Sequence, residues 1–135
     1  MTIEPDIRDE LLALRDQVRH LQGGMVASAD GMVIAHDLRD IEPDGLAALT
    51  AAAIGVAKRL TEATGQGAFE ESLTRGASGY IAAYSAGNRA VLTAVAGPDT
   101  NVGRLHWQAR RTAARIGALM DNSPGAATHA PKNTN

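Results

Sequence analysis

The side chains that most often carry chemistry in proteins are few in this sequence, and their spacing does not bring them together. There is no cysteine, which excludes thiolate metal sites, disulfides and cysteine nucleophiles. No two histidines are three or four residues apart, the spacing that places two zinc ligands on one face of a helix. They are His20, His36, His106 and His129. We therefore expect no bound metal.

Three short segments could be mistaken for catalytic or nucleotide-binding motifs. Asp30 could act as a general base, but Asp-Gly between two apolar runs is typical of a tight turn. Gly76-Ala77-Ser78-Gly79 lacks the pattern of a nucleophile elbow and of a phosphate-binding loop. Gly65 and Gly67 match half of a dinucleotide fingerprint, but a predicted strand follows them instead of a helix. The sequence thus predicts a protein that is not an enzyme and binds no cofactor.

Charge and hydropathy limit the partners of the chain. Thirteen basic and fifteen acidic residues give a net charge of −2, which provides no general attraction for nucleic acid or anionic membranes. The first 20 residues are too charged to form the apolar centre of a signal peptide. The longest uncharged apolar stretch, 45–57, has 13 residues, whereas roughly 20 are needed to span a bilayer. We expect a cytoplasmic protein with no nucleic-acid binding and no membrane insertion.

Hydrophobic periodicity and turn signals predict eight secondary-structure elements. Three helices are predicted at 6–22, ended by Gly23-Gly24, at 45–63, with Asp44 as N-cap, and at 102–119, with Asn101 as N-cap. Five strands are predicted at 25–28, 32–35, 68–74, 80–84 and 90–96. The first two strands form a hairpin around Asp30-Gly31.

The order of these elements determines the expected architecture. With hairpins in both groups of strands, it gives an α+β three-layer sandwich: a five-stranded antiparallel sheet with one helix on one face and two on the other. The strand at 90–96 is apolar on both faces, so both need cover. We expect a single domain over 6–121. The tail at 122–135 is predicted to be disordered, because it contains no large apolar residue.

The second helix is uncharged on both sides over most of its length. Six aliphatic residues are predicted to form the side that packs on the sheet: Leu46, Leu49, Ala53, Val56, Ala57 and Leu60. Ala48, Ala51 and Gly55 lie on the back. Ile54 lies at a flank, and no charged residue occurs before Lys58. One sheet and three helices leave too few layers to cover the back, so a second copy of the chain is the expected cover.

The ordered set of elements resembles the dynein light chain roadblock family, in particular its short bacterial members. Besides the first helix from Leu11 to Leu21, three segments carry the likeness. They are 24–35, the alanine-rich second helix and 97–103. The likeness covers roughly residues 6–121.

The resemblance implies a roadblock/profilin-like fold in which two chains join through the second helix and the third strand. On this basis the expected dimer interface consists of Ala48, Ala51, Ala52, Ile54, Gly55, Arg59, Phe69, Glu71 and Leu73. Family members are non-enzymatic dimeric platforms, prominently for Ras-like small GTPases, and some bacterial members act as GTPase-activating partners. The resemblance therefore implies a homodimeric scaffold that binds and regulates a small GTPase or an associated signalling complex.

The last helix places Trp107 among Arg104, Arg111 and Arg115, opposite its predicted core stripe. An exposed Trp among arginines is suited to anchor a partner, because Trp and Arg concentrate binding energy at interfaces. It is also compatible with a solvated face on which Trp107 packs under arginine stems, a cation–π contact worth about 0.5–1 kcal/mol. The sequence leaves both interpretations open.

Two other functions are compatible with the resemblance. A sensory domain of the related three-layer type would bind a small ligand between helix and sheet, but the predicted inward positions are almost all aliphatic. The chain could instead be an adaptor for a histidine kinase system, since bacterial relatives occur beside sensor kinases in gene clusters that encode GTPase switches.

Overall fold

The computed structural model describes residues 3–122, which form three helices around one sheet. In chain order the elements are α1 (Glu4–Gln17), β1 (Leu21–Ser28), β2 (Val33–His36), α2 (Pro43–Ala63), β3 (Glu71–Gly76), β4 (Gly79–Ala86), β5 (Ala90–Ala96) and α3 (Val102–Asp121). The strands form one antiparallel sheet in the order β2-β1-β5-β4-β3. Helices α1 and α3 pack on one face and α2 on the other, which confirms the predicted three-layer architecture.

The face of the sheet under α1 and α3 carries the main core. The buried side chains of α3 recur at helical spacing, as predicted: Leu105, Ala109, Thr112, Ala113 and Ile116. Asn101 caps this helix, because its Oδ1 accepts a hydrogen bond from the Arg104 N–H at 3.0 Å. Both features depend on residues close together in sequence, and both were predictable from it.

The first helix ends earlier than the sequence predicts. It ends at Gln17, and β1 begins at Leu21, which pairs with the last residue of β5. Gly23-Gly24 does not cap the helix but lies inside β1. A Cβ on Gly24 would lie 3.1 Å from Leu11 Cδ2, so the missing side chain allows α1 to pack close to the strand. The prediction of a glycine cap is therefore wrong, because pairing with β5 draws this segment into the sheet.

The second helix begins at Pro43, and its N-cap is Glu42 instead of the predicted Asp44. Glu42 Oε1 accepts a hydrogen bond from the Gly45 N–H at 2.7 Å, and Oε2 accepts one from the Asp44 N–H at 3.2 Å. Pro43 suits the first helical position, since the amide it lacks would have no partner within the helix. The correction adds two residues to the start of α2.

Most of the remaining strands differ from the prediction only at their ends. Strand β5 matches it, whereas β4 is longer and β3 begins three residues later than predicted. Within residues 3–122, none of the helices combines the length and apolar character needed to cross a membrane. Of the predicted disordered tail, Asn122 is the C-cap of α3, and the rest lies outside the described residues.

Candidate partner-binding surfaces

Helix α2 turns a different side toward the sheet from the one predicted. Its buried residues are Ala47, Thr50 and Ile54. Ile54, predicted at a flank, is 5% exposed and packs with Phe69, Ala83 and Val91. Of the six residues predicted to pack on the sheet, Leu46 and Ala57 are half-buried against it. The prediction is wrong for the other four, which are exposed: Leu49, Ala53, Val56 and Leu60.

Small residues face inward because the β1–β2 turn lies directly beside α2. Gly31 adopts a positive φ of 93°, and a Cβ on it would lie 3.4 Å from Ala51 Cβ and 3.5 Å from the Ala47 carbonyl oxygen. The Asp30-Gly31 turn itself is as predicted. Such a close approach leaves space only for small side chains where the turn meets the helix, at Ala47 and Ala51.

The flank of α2 next to this buried side is an apolar surface that residues 3–122 leave uncovered. Leu49, Val56 and Leu60 are 71%, 60% and 61% exposed. Ala52 and Ala53 are also exposed and lie between them along the helix. We refer to these five residues as the α2 outer face. Contiguous exposed apolar surface of this kind marks interaction sites.

The sheet is also incompletely covered on the side of α2. Helix α2 contacts β2 and β1, whereas Ile81 of β4 is 40% exposed on the same side of the sheet. Ser72 and Thr74 of β3 share this side, because they pair with Ala83 and Ile81. Strand β3 pairs with β4 alone, so its other edge is free within residues 3–122. The α2 outer face therefore lies on the same side of the sheet as the Ser72 and Thr74 side chains of the edge strand β3.

The residues predicted for the dimer interface do not form one surface in the single chain. Four are exposed on α2: Ala48, Ala52, Gly55 and Arg59. Ala51 is half-buried, while Ile54 and Phe69 pack on each other and serve the chain's own core. Glu71 and Leu73 lie on the opposite side of the sheet, toward α3, because their partners on β4 belong to the core under that helix.

Glu71 joins β3 to α3 through a polar cluster that sequence reasoning missed. Arg110 donates two hydrogen bonds to its carboxylate, from Nε to Oε1 and from Nη2 to Oε2, each 2.7 Å long. His106 Nδ1 lies 3.5 Å from Glu71 Oε2 and 2.8 Å from the Tyr84 hydroxyl. Glu71 and Arg110 are 39 residues apart, so no local spacing signals the contact.

The charges in this cluster stabilise one another. The hydrogen bonds from Arg110 lower the pKa of Glu71, although burial acts in the opposite direction. The same pairing raises the pKa of Arg110. Burial raises the pKa of Tyr84, and the neighbouring Glu71 charge adds to this effect. Glu71 and Arg110 are thus both charged at neutral pH and tie the edge strand to α3.

The predicted surface on α3 consists of side chains with different partners. Trp107 is 60% exposed, and the guanidinium carbon of Arg111 lies 5.7 Å from the centre of its ring, as the cation–π interpretation predicts. Arg104 Nε donates to the Gln17 carbonyl at 2.9 Å. Arg115 turns toward α1, where its Nε donates to a carboxylate oxygen of Glu10 at 2.8 Å.

The comparison with protein families identifies the fold. Residues 7–96 match the family model described as "Roadblock/LC7 domain", and this match spans more than half of the chain. The chain belongs to the Roadblock/LC7 domain family. The resemblance inferred from the sequence is thus confirmed.

This roadblock domain is similar to proteins of an archaeon and of bacteria. The uncharacterized protein MJ1340 of Methanocaldococcus jannaschii is 28% identical over 113 residues, which cover 83% of this chain and 98% of the relative. MglB of Myxococcus xanthus has a TM-score of 0.81 at 18% identity, over 87% of this chain and 97% of that chain. An MglB structure with a tetrameric arrangement has a TM-score of 0.81 at 19% identity, over 86% and 88% of the two chains. At these identities the two structures establish the fold of the roadblock domain.

The family match covers the elements of the proposed α2 surface but not α3. It includes α2 and β3 but ends at Ala96, so α3 of this roadblock domain lies beyond it. Membership in the family therefore says nothing about Trp107 and its neighbours. Within residues 3–122 of the domain, no three His, Asp or Glu side chains are placed to hold a metal ion.

Proposed function

We propose that this roadblock domain is a non-enzymatic cytoplasmic binding module that works as a homodimer and regulates a small Ras-like GTPase or an associated signalling complex. The observation that carries the proposal is the α2 outer face, which exposes three large aliphatic side chains on the same side of the sheet as the Ser72 and Thr74 side chains of β3, the strand with the free edge. Residues 3–122 of one chain leave both features uncovered, and a second copy would cover both at once.

A two-fold axis beside β3 would satisfy the two features together. It would pair β3 with its copy in antiparallel orientation and continue the sheet across the dimer. The α2 outer faces of the two chains would then meet on one side of the sheet. Ser72 and Thr74 are the β3 side chains on that side, and they would replace Glu71 and Leu73 in the predicted dimer interface. The tetrameric arrangement of a similar MglB supports self-association of this fold.

Light scattering coupled to size-exclusion chromatography tests the homodimer. The full chain at about 50 μM is expected to have twice its chain mass of 14.0 kDa and to dissociate on dilution. A mass of one chain at that concentration would contradict the proposal.

The GTPase partner rests on the family resemblance and needs a separate measurement. Small Ras-like GTPases of the source organism, starting with one encoded beside this gene, would be titrated in the GDP form and with a non-hydrolysable GTP analogue. We expect calorimetric binding that depends on the bound nucleotide. Phosphate release then shows whether hydrolysis is stimulated. An intact dimer that binds none of these GTPases in either form would disprove this part of the proposal and leave the dimer standing.

A further inference from the structure

The outer side of α3 carries a cationic surface around an exposed aromatic ring. We propose that Arg104, Trp107 and Arg111 bind an acidic segment of a protein partner, in which carboxylates flank an apolar side chain. This inference extends the proposed function, because it rests on the chain being a binding module. The surface is separate from the proposed dimer interface, since α3 and α2 lie on opposite faces of the sheet.

Trp107 does not serve the core of the domain. Its ring is 60% exposed, and the buried residues of α3 lie on the other side of the helix. It is the only tryptophan in the chain, so the largest apolar side chain of the protein is the one presented to solvent. An indole offers a rigid apolar surface at a small cost in conformational entropy, which makes it an effective binding anchor.

The charge around Trp107 determines the kind of partner. Helix α3 carries four arginines and no acidic residue before Asp121. Arg110 and Arg115 are neutralised by Glu71 and Glu10.

Arg104 and Arg111 differ from these two paired arginines. Arg104 donates to a backbone carbonyl, and Arg111 stacks on the Trp107 ring. Neither forms a salt bridge with any residue in 3–122. Two positive charges without a salt bridge in the described residues therefore lie on either side of Trp107 along the helix, although the chain as a whole carries a net charge of −2.

The spacing of the three residues suits a short acidic segment. Positions 104, 107 and 111 follow one another along one side of the helix over about 10 Å, at 1.5 Å per residue. A guanidinium group binds a carboxylate through two parallel hydrogen bonds, so carboxylates at either end fit Arg104 and Arg111. An apolar side chain between them fits the indole. Nucleic acid is a poorer match, because a single ring provides no series of stacking platforms.

The only tryptophan makes the site directly observable by fluorescence. The probe is a 12-residue peptide of Asp, Glu and Leu, and the matched control peptide has Asn and Gln in place of the acids. With the full chain we expect a saturable change in Trp107 emission for the acidic peptide alone, which weakens as salt is added. Affinity is measured independently by the anisotropy of a labelled acidic peptide.

Two variants with the same change in charge separate this site from general electrostatics. We expect Arg111→Glu to weaken peptide binding about tenfold or more, because it replaces attraction by repulsion at the site. Arg39→Glu, in the exposed loop between β2 and α2, is expected to weaken it less than about threefold. The mass of Arg111→Glu by light scattering should equal that of the wild type, so a loss of peptide binding is distinguished from a loss of the dimer.

Three results would overturn the inference. The first is unchanged Trp107 emission with the acidic peptide up to about 1 mM, since a Kd above that level corresponds to less than about 4 kcal/mol of binding free energy. The second is an equal loss of affinity in Arg111→Glu and Arg39→Glu. The third is binding of a single-stranded oligonucleotide of matched charge as tightly as the peptide, which would identify a general polyanion site.

Discussion

Replacing Leu60 by Gln tests the α2 outer face without disturbing the fold of the single chain. The side chain is 61% exposed, and Gln has nearly the same helix propensity as Leu. Full burial of a Leu side chain is worth about 1.5–3 kcal/mol, so covering the exposed part of Leu60 in a dimer is worth about 1–2 kcal/mol per chain. A two-fold interface contains this residue twice, which gives about 2–4 kcal/mol for the dimer.

This free energy predicts a large change in the dissociation constant of the dimer. Since about 1.4 kcal/mol corresponds to a tenfold change in Kd, we expect Leu60→Gln to raise it about 30- to 700-fold. The free energy of unfolding of the monomer should change by less than about 0.5 kcal/mol, as for other exposed substitutions. Analytical ultracentrifugation over a dilution series measures the first quantity, and urea unfolding at low protein concentration measures the second.

Lys58→Gln is the matched control, because it introduces the same residue on the same helix at an exposed position away from the α2 outer face. Its Kd is expected to match that of the wild type. If Leu60→Gln also stays within about threefold of the wild type, the α2 outer face is not the dimer interface and the reasoning fails. If Leu60→Gln instead destabilises the monomer by 2 kcal/mol or more, the residue belongs to the core.

Two further predictions concern the helix cap and the polar cluster. In urea titrations, Glu42→Ala should lower the free energy of unfolding by about 0.5–2 kcal/mol, and Asp44→Ala should lower it by less. A larger loss of stability in Asp44→Ala than in Glu42→Ala would show that Asp44 is the cap. The pKa of Glu71 is lower in the folded than in the unfolded protein, because Arg110 pairs with its carboxylate. This pairing stabilises the fold fully at a pH above the unfolded pKa of about 4.3. The stabilisation is lost as the pH falls through the lower pKa of the folded state. The difference in unfolding free energy between wild type and Glu71→Gln should therefore be constant above about pH 6 and shrink below about pH 4, and a difference independent of pH would contradict this account.

Local sequence signals were sufficient for the elements whose determinants lie close together in the chain. Helix α3 shows this, because Asn101, directly before its first residue, caps it and its buried residues recur at helical spacing. The turn at Asp30-Gly31 shows it too, since Gly31 adopts the positive φ that such a turn requires. The order of the elements then limited the architecture to a three-layer sandwich.

Hydrophobic periodicity gave the wrong prediction where two alternative structures would both bury apolar residues. The spacing that predicts a helix continues past Gln17 to Leu21, but that residue pairs with β5 instead. In α2 both sides are uncharged, and hydrophobic periodicity favours the side with the larger aliphatic residues as the core. The inward side is in fact the one with Ile54, which meets Phe69 beneath the helix.

By itself, the sequence determined the elements of this protein, their order, its family and the presence of an uncharged second helix. Only the tertiary structure decided which side of that helix faces outward, because the choice depends on two distant contacts. The turn at Gly31 leaves space only for small side chains at Ala47 and Ala51, and Phe69 packs on Ile54. The tertiary structure also decided that Arg110 is paired with Glu71 while Arg111 stacks on Trp107. Adjacent arginines are equivalent in a sequence, and they become different only when the fold brings a carboxylate to one and a ring to the other.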